Sequence, residues 1–266
     1  TSLFNLPAGL NEVSGITLAH SKKIFAFVHN DSGDTSRFFG INKKGELACT
    51  FYFKGKSERH GVSDCEDIAS GKGATGEQKF LYLGDIGDNS ARKNHITIYR
   101  FPEPRSSKKK NKTVTGSAVF FKYPDGARDA ETLMLDNTDR LLYIVSKRED
   151  TVRIYTSPLT WNENDTVTLQ YRAQLYLPGT RPARWITSGD ISWDGNRILL
   201  KTLQQVYYWE RGVGEPIWQT LQKQPAILPY QKEPQGEAIC FDANGTGFYT
   251  VSEGEEQPVY YYKIAQ

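Results

Sequence analysis

Short apolar runs recur along this chain, each bounded by Gly, Asp, Asn or Pro clusters, and their alternating polarity predicts strands rather than helices. Five of the runs open alike, with a polar or acidic residue two positions ahead of an aliphatic one. They are Ser14-Gly-Ile16, Glu66-Asp-Ile68, Glu131-Thr-Leu133, Gly189-Asp-Ile191 and Glu237-Ala-Ile239. Their starts lie roughly 50 to 65 residues apart, a period that points to a repeated sheet unit.

Each period divides further. The first reads as strands over Val13–Leu18, Ile24–His29, Arg37–Asn42 and Glu46–Phe53, the second as Cys65–Ala69, Lys79–Gly84, His95–Phe101 and Val114–Tyr123. The third gives Ala130–Leu135, Leu141–Ser146, Val152–Thr156 and Val167–Leu177. The fourth gives Thr187–Ser192, Arg197–Lys201, Gln205–Glu210 and a short Pro216–Leu221. Turn pairs such as Asp194-Gly195 and Asn244-Gly245 fall between first and second strands, where a tight reversal is needed. The fifth period has only Glu237–Phe241, Gly247–Val251 and Val259–Ile264, so Ser2–Leu6 is the natural strand to complete it. The expectation is an all-β, five-bladed β-propeller over residues 1–266, one domain, with the N-terminal strand closing the ring and covering otherwise bare edges.

Composition agrees with a full β core: Phe, Trp and Tyr make up 12% of the 266 residues. A formal charge of +2 gives no case for nucleic acid as an obligate partner, and no apolar stretch reaches membrane-spanning length. The basic run Arg105–Lys112 lacks interleaved aromatics and reads as a solvated loop. Cys49, Cys65 and Cys240 are odd in number and fall on separate strands, so they are expected free and buried. Asn-x-Ser/Thr triplets at Asn30, Asn111, Asn164 and Asn244 point to an extracellular or periplasmic location. A monomer is expected.

The ring concentrates charge. First-strand starts and second-strand ends share one face, which gathers His29, Asn30, Asp31, Asp85, Asp88, Lys147, Lys201 and Glu253 around Glu66, Glu131, Asp190 and Glu237. That many carboxylates in a narrow mouth require neutralisation by a cation or by protons. An oxygen-only set without convergent Cys or His suits a hard cation such as Ca²⁺, which takes about 6–8 oxygens. Ser14, Glu66, Glu131, Ser188, Asp190 and Glu237 are the candidate metal ligands. The same carboxylates could instead be paired by Lys147, Lys201, Arg128 and water. Asp85, Asp88 and His29 are candidate bases, and Asn30, Asp31, Lys147, Lys201 and Glu253 candidate ligand contacts. Each also has a structural reading as an Asx turn or a satisfied strand-end residue. His60 and His95 show no partner in the sequence.

Two resemblances rest on these stretches. His29-Asn-Asp-Ser-Gly33, Glu66-Asp-Ile-Ala69, Gly84-Asp-Ile-Gly-Asp-Asn89, Tyr123-Pro-Asp-Gly-Ala-Arg-Asp-Ala-Glu131, Thr187-Ser-Gly-Asp-Ile-Ser192 and Gln235-Gly-Glu-Ala238 resemble the signatures of a poorly characterised, mostly bacterial group of β-propeller proteins. That resemblance covers nearly the whole chain and implies the fold without a reaction. The spoke order Ser14, Glu66, Glu131, Ser188 or Gly189, Glu237 is similar to that of the calcium-activated nucleotidase (apyrase) propellers. It implies axial Ca²⁺ and hydrolysis of nucleoside phosphates. The departure lies at the fourth spoke, where alignment selects Gly189, and the rim lacks dense arginine.

The leading expectation is a Ca²⁺-binding propeller that hydrolyses a small phosphate ester or anhydride. A second is a non-catalytic module binding a glycan or protein through Trp161, Trp185, Trp193 and Tyr207. A third is a glycoside hydrolase using axial carboxylates.

Overall fold

The computed structural model describes residues 1–57, 61–105 and 109–264, so His60 and the centre of the basic run lie outside the described residues. Five antiparallel sheets radiate from one axis. Their innermost strands are β2 (Val13–Leu18), β6 (Cys65–Lys72), β11 (Ala130–Asp136), β16 (Ile186–Ile191) and β20 (Gly236–Phe241). Each packs on the next, and β20 returns to β2. The five-bladed propeller is therefore closed.

Alternation explains how each blade is buried. A strand exposes its side chains to both sheet faces in turn, so a blade packed between two neighbours needs apolar residues on both. The core is accordingly divided into sectors between adjacent blades. Phe27, Phe38, Phe51 and Phe101 fill the first seam, and Met134, Tyr143, Ile198 and Tyr207 the third. Each such side chain contributes about 1.5–3 kcal/mol relative to exposure. Trp161 and Tyr207, expected on the surface, are core residues at 5% and 2% exposure. Cys49, Cys65 and Cys240 are buried and free, as expected.

Ring closure follows the expected route: β1 (Ser2–Asn5) pairs antiparallel with β22 (Pro258–Lys263), which joins β21 (Gly247–Ser252) and β20. Two edges differ from expectation. β9 (Asn111–Thr113) leaves the second blade to run parallel to β5 (Leu47–Tyr52) on the edge of the first. β14 (Thr166–Thr168) likewise leaves the third blade for β10 (Ser117–Lys122) of the second. These crossings cover outer edges that would otherwise expose a row of backbone donors and acceptors. In the fourth blade the expected strand Pro216–Leu221 is a short helix, α1 (Ile217–Thr220), and β19 (Ala226–Leu228) is the outer strand instead. No described helix is long and apolar enough to cross a membrane.

One irregularity recurs in every blade. The pairing of first and second strands skips a residue at Ser14, Glu66, Glu131, Thr187 and Glu237. A bulge leaves one residue unpaired and re-aims its side chain. The repeat therefore has a register marker, and in the fourth blade it is Thr187. Neither Ser188 nor Gly189 holds that position.

Candidate functional site

The bulged residues open the axial mouth, and period-two alternation puts the residue two positions earlier on the same side. Those earlier residues are Glu12, Asp64, Asp129, Trp185 and Gln235. The backbone continues the ladder there: amides of Asp31, Lys147 and Glu253 donate to the carbonyls of Glu12, Asp129 and Gln235. In the second blade the equivalent donor is Gly87, to the Asp64 carbonyl at 3.1 Å.

This arrangement gathers Asp31, Asp64 and Glu66, each offering a carboxylate oxygen within 4.8 Å of the others. Glu66 is 3% exposed, and Asp31 Oδ1 is buried without a hydrogen-bond partner. No ion pair reaches any of the three among the described residues. The cluster sits at the seam of the first two blades, because β3 (Ala26–Asn30), whose end carries Asp31, packs on β6. Gly87 makes room for it. A Cβ there would lie 2.1 Å from Glu66 Oε1 and 2.5 Å from Asp64 Oδ2.

Burial and mutual repulsion act together on this cluster. Burial, then the charges of Asp64 and Glu237, push Asp31 up to about 7. Burial, then Asp31 and Asp64, hold Glu66 well above the carboxylate range, and burial raises Asp64 as well. Glu253, half-buried beside Glu237 and Asp31, is pushed up to about 8, first by burial and then by Glu237. Without a cation the mouth holds protons near neutral pH.

The other carboxylates expected to join a central metal set are engaged elsewhere. Glu131 forms a buried ion pair with Lys147, although its Oε2 remains unpartnered. Glu237 accepts a hydrogen bond from the Gln235 side-chain Nε2 at 3.3 Å. Ser14 donates to the Glu66 carbonyl, and Ser188 donates to Asp67. Asp190 lies three positions past the bulge, toward the opposite face, and accepts from the Ile191 and Phe241 amides. Its displacement follows from the shifted register of the fourth blade.

The candidate bases are also committed. His29 is fully buried, its Nδ1 against the Asn30 carbonyl at 2.9 Å, and burial lowers it to about 4. Its Nε2 packs against Gly15, where a Cβ would come within 2.4 Å. Asp85 accepts from the Ser63 and Asp64 amides and so shapes the loop that presents Asp64. Asp88 accepts from the Lys93 amide at 2.7 Å. Lys201 is fully buried, donating to the Gly236 and Thr202 carbonyls with Glu233 at 3.9 Å, and does not reach the mouth surface. Asn30 donates to Asp34, while its Oδ1 is unpartnered.

Four further acids belong to this system. Asp129 pairs with Arg148, and Asp67, Asp64 and Glu233 complete the set. A signal existed for two of them: Asp64 and Asp129 stand two residues before a bulged glutamate, as Asp64-Cys-Glu66 and Asp129-Ala-Glu131. Glu233, opposite Lys201, has no such signature.

No family model matches the chain, and no curated protein matches it. Among solved structures it is similar to a chain of the nidogen/laminin complex, with 14% identity, TM-score 0.41 and 69% of this chain covered. It is also similar to a chain of the complex of KlAtg21 with the coiled coil of AgAtg16, at 10% identity, TM-score 0.44 and 96% coverage. The matched regions span 57% and 72% of those chains, respectively.

Proposed function

We propose that this propeller binds a hard divalent cation, Ca²⁺ foremost, through Asp31, Asp64 and Glu66, and that the bound cation receives a small anionic ligand. The observation that carries this reading is the approach of three carboxylate oxygens to within 4.8 Å of one another, with no ion pair to any of them among the described residues. Like charges so placed in a buried setting call for a counter-ion. Asp31 Oδ1, buried without a hydrogen-bond partner, is an oxygen of the kind such an ion takes.

Hydrolysis of a phosphate ester or anhydride is the catalytic form of this proposal, in keeping with the nucleotidase-like spoke order. The cation would supply polarisation of a phosphoryl oxygen and acidification of bound water. Lys147 and Arg148, both facing Trp185, line the adjoining rim, where each is paired with a carboxylate, Glu131 and Asp129. Glu253 is the carboxylate best placed to hold a proton, whereas His29, Asp85 and Asp88 are each held by a backbone partner. That last fact also favours a second reading, a non-catalytic glycan- or protein-binding module in which the cation only orders the rim.

Titration calorimetry with Ca²⁺ and with Mg²⁺, followed by a nucleotide and phosphate-ester panel with Ca²⁺ and with chelator, separates these. Binding abolished by Glu66→Gln is expected. Absence of cation binding at millimolar concentration removes both readings; binding without turnover leaves the module.

A further inference from the structure

We infer that the face opposite the acidic mouth is a docking surface for an acidic peptide segment carrying an apolar side chain. The inference is independent of the cation reading.

That face is formed by the turns that follow the first strands and precede the second. Two adjoining clefts meet there at His20 and Ser21. One, of about 830 Å³ including its open side, has Phe25 and Tyr249 in its floor and Lys22 and Lys43 among its lining residues. The other, of about 790 Å³, is lined by Lys79 and Arg105 and also by Glu77 and Glu103. Phe25 and Tyr249 are half-buried and meet edge-to-face at 5.3 Å, so the floor is largely aromatic.

The cations here lack carboxylate partners. Among the described residues no ion pair involves Lys22, Lys23, Lys43, Lys79 or Arg105. The two acids of the second cleft already have partners: Glu103 holds His20 Nδ1 at 2.9 Å, and Glu77 pairs with Lys72 and Arg140. Unpaired surface lysines taken singly are ordinary, but four of them and an arginine around an aromatic-floored groove form a complementary field for negative charge. A membrane surface or a polysaccharide would use the charge alone. The apolar floor between Lys22 and Lys43 adds a seat for a side chain, which selects a peptide whose acids flank one aromatic or aliphatic residue.

The test is fluorescence anisotropy of the full chain with a labelled peptide of glutamates flanking a central phenylalanine. Expected are saturable binding that weakens with added salt, about tenfold weaker binding in Lys22→Glu/Lys43→Glu, and loss of affinity when the peptide's phenylalanine becomes serine. Lys22→Gln/Lys43→Gln, with melting curves for both variants, guards against a folding defect. Equal binding by the charge-reversed protein or by the serine peptide overturns the inference. So does lysine-dependent binding of heparin or phosphatidylserine vesicles without binding of the peptide. Glu66→Gln, which disables the proposed cation site, is expected to leave peptide affinity unchanged.

Discussion

Carboxylates occupy two levels of this propeller, and they differ in what faces them. At the inner level, Asp67 accepts the Ile68 amide at 2.9 Å, the Leu133 amide at 3.0 Å and the Ser188 hydroxyl at 3.3 Å. It thereby ties the second blade to the third and fourth. Asp190 ties the fourth to the fifth through the Phe241 amide at 2.8 Å. At the mouth, Asp31, Asp64 and Glu66 face one another and form no ion pair among the described residues. The same residue type is a brace in one place and an open coordination set in the other. Sequence position alone does not tell them apart, because adjacent Glu66 and Asp67 fall on opposite sides of the division.

The sharpest way to break this contrast is to remove a brace. Asp67→Ala would leave two buried amides and a hydroxyl without an acceptor, a loss of about 3–5 kcal/mol in denaturant unfolding. A loss under about 1 kcal/mol would mean the inner level is not structural. Next comes the mouth. Saturating Ca²⁺ at about a hundredfold above its Kd should stabilise the protein by about 2.7 kcal/mol, since only the folded ring presents the cluster. In Glu66→Gln that gain should vanish, while stability in chelator holds or rises as one repelling charge is gone. A calcium-independent melting temperature in the unmodified protein would contradict the open set.

Much of this architecture was legible from residues, and the misses have physical causes. Long alternating runs gave away the inner strands, and the missing strand of the last blade identified the N-terminal closure. The edge strands Asn111–Thr113 and Thr166–Thr168 were not legible, because short, largely exposed segments carry no burial pattern. The register of the fourth blade was misread because Gly189-Asp-Ile191 imitates Glu66-Asp-Ile68, whereas the bulge that defines position is a backbone event. The site was half legible. Glu66 and Asp31 were visible, and Asp64 could have been found from its spacing to Glu66. That Lys147 would neutralise Glu131 and leave the first seam uncompensated depends on side-chain direction, which sequence does not carry.

A smaller perturbation tests geometry without touching charge. Gly87→Ala would force Glu66 Oε1 and Asp64 Oδ2 away from a methyl group that now overlaps both. Calcium affinity is expected to fall about tenfold, or about 1.4 kcal/mol, with little change in chelated stability. Unchanged affinity would show that these two oxygens do not act together.

The smallest effect separates the levels by pH. Asp190, half-buried against a cavity lined by His20 and Trp193, is raised to about 7 by burial despite its two amide donors. Its unfolded value is near 3.8, so the unfolded chain ionises first as pH rises. Asp190 therefore adds no penalty in acid, a growing one from about pH 4, and its full penalty above about pH 7. His29 acts oppositely, losing stability as pH falls from 6.5 toward about 4. Comparing the protein with Asp190→Asn, both in saturating Ca²⁺, removes the shared terms. Between about pH 6 and pH 7 the native aspartate should lose at most about 1 kcal/mol more than the variant. Parallel pH profiles would place the Asp190 charge in water and remove it from the buried braces of the inner level.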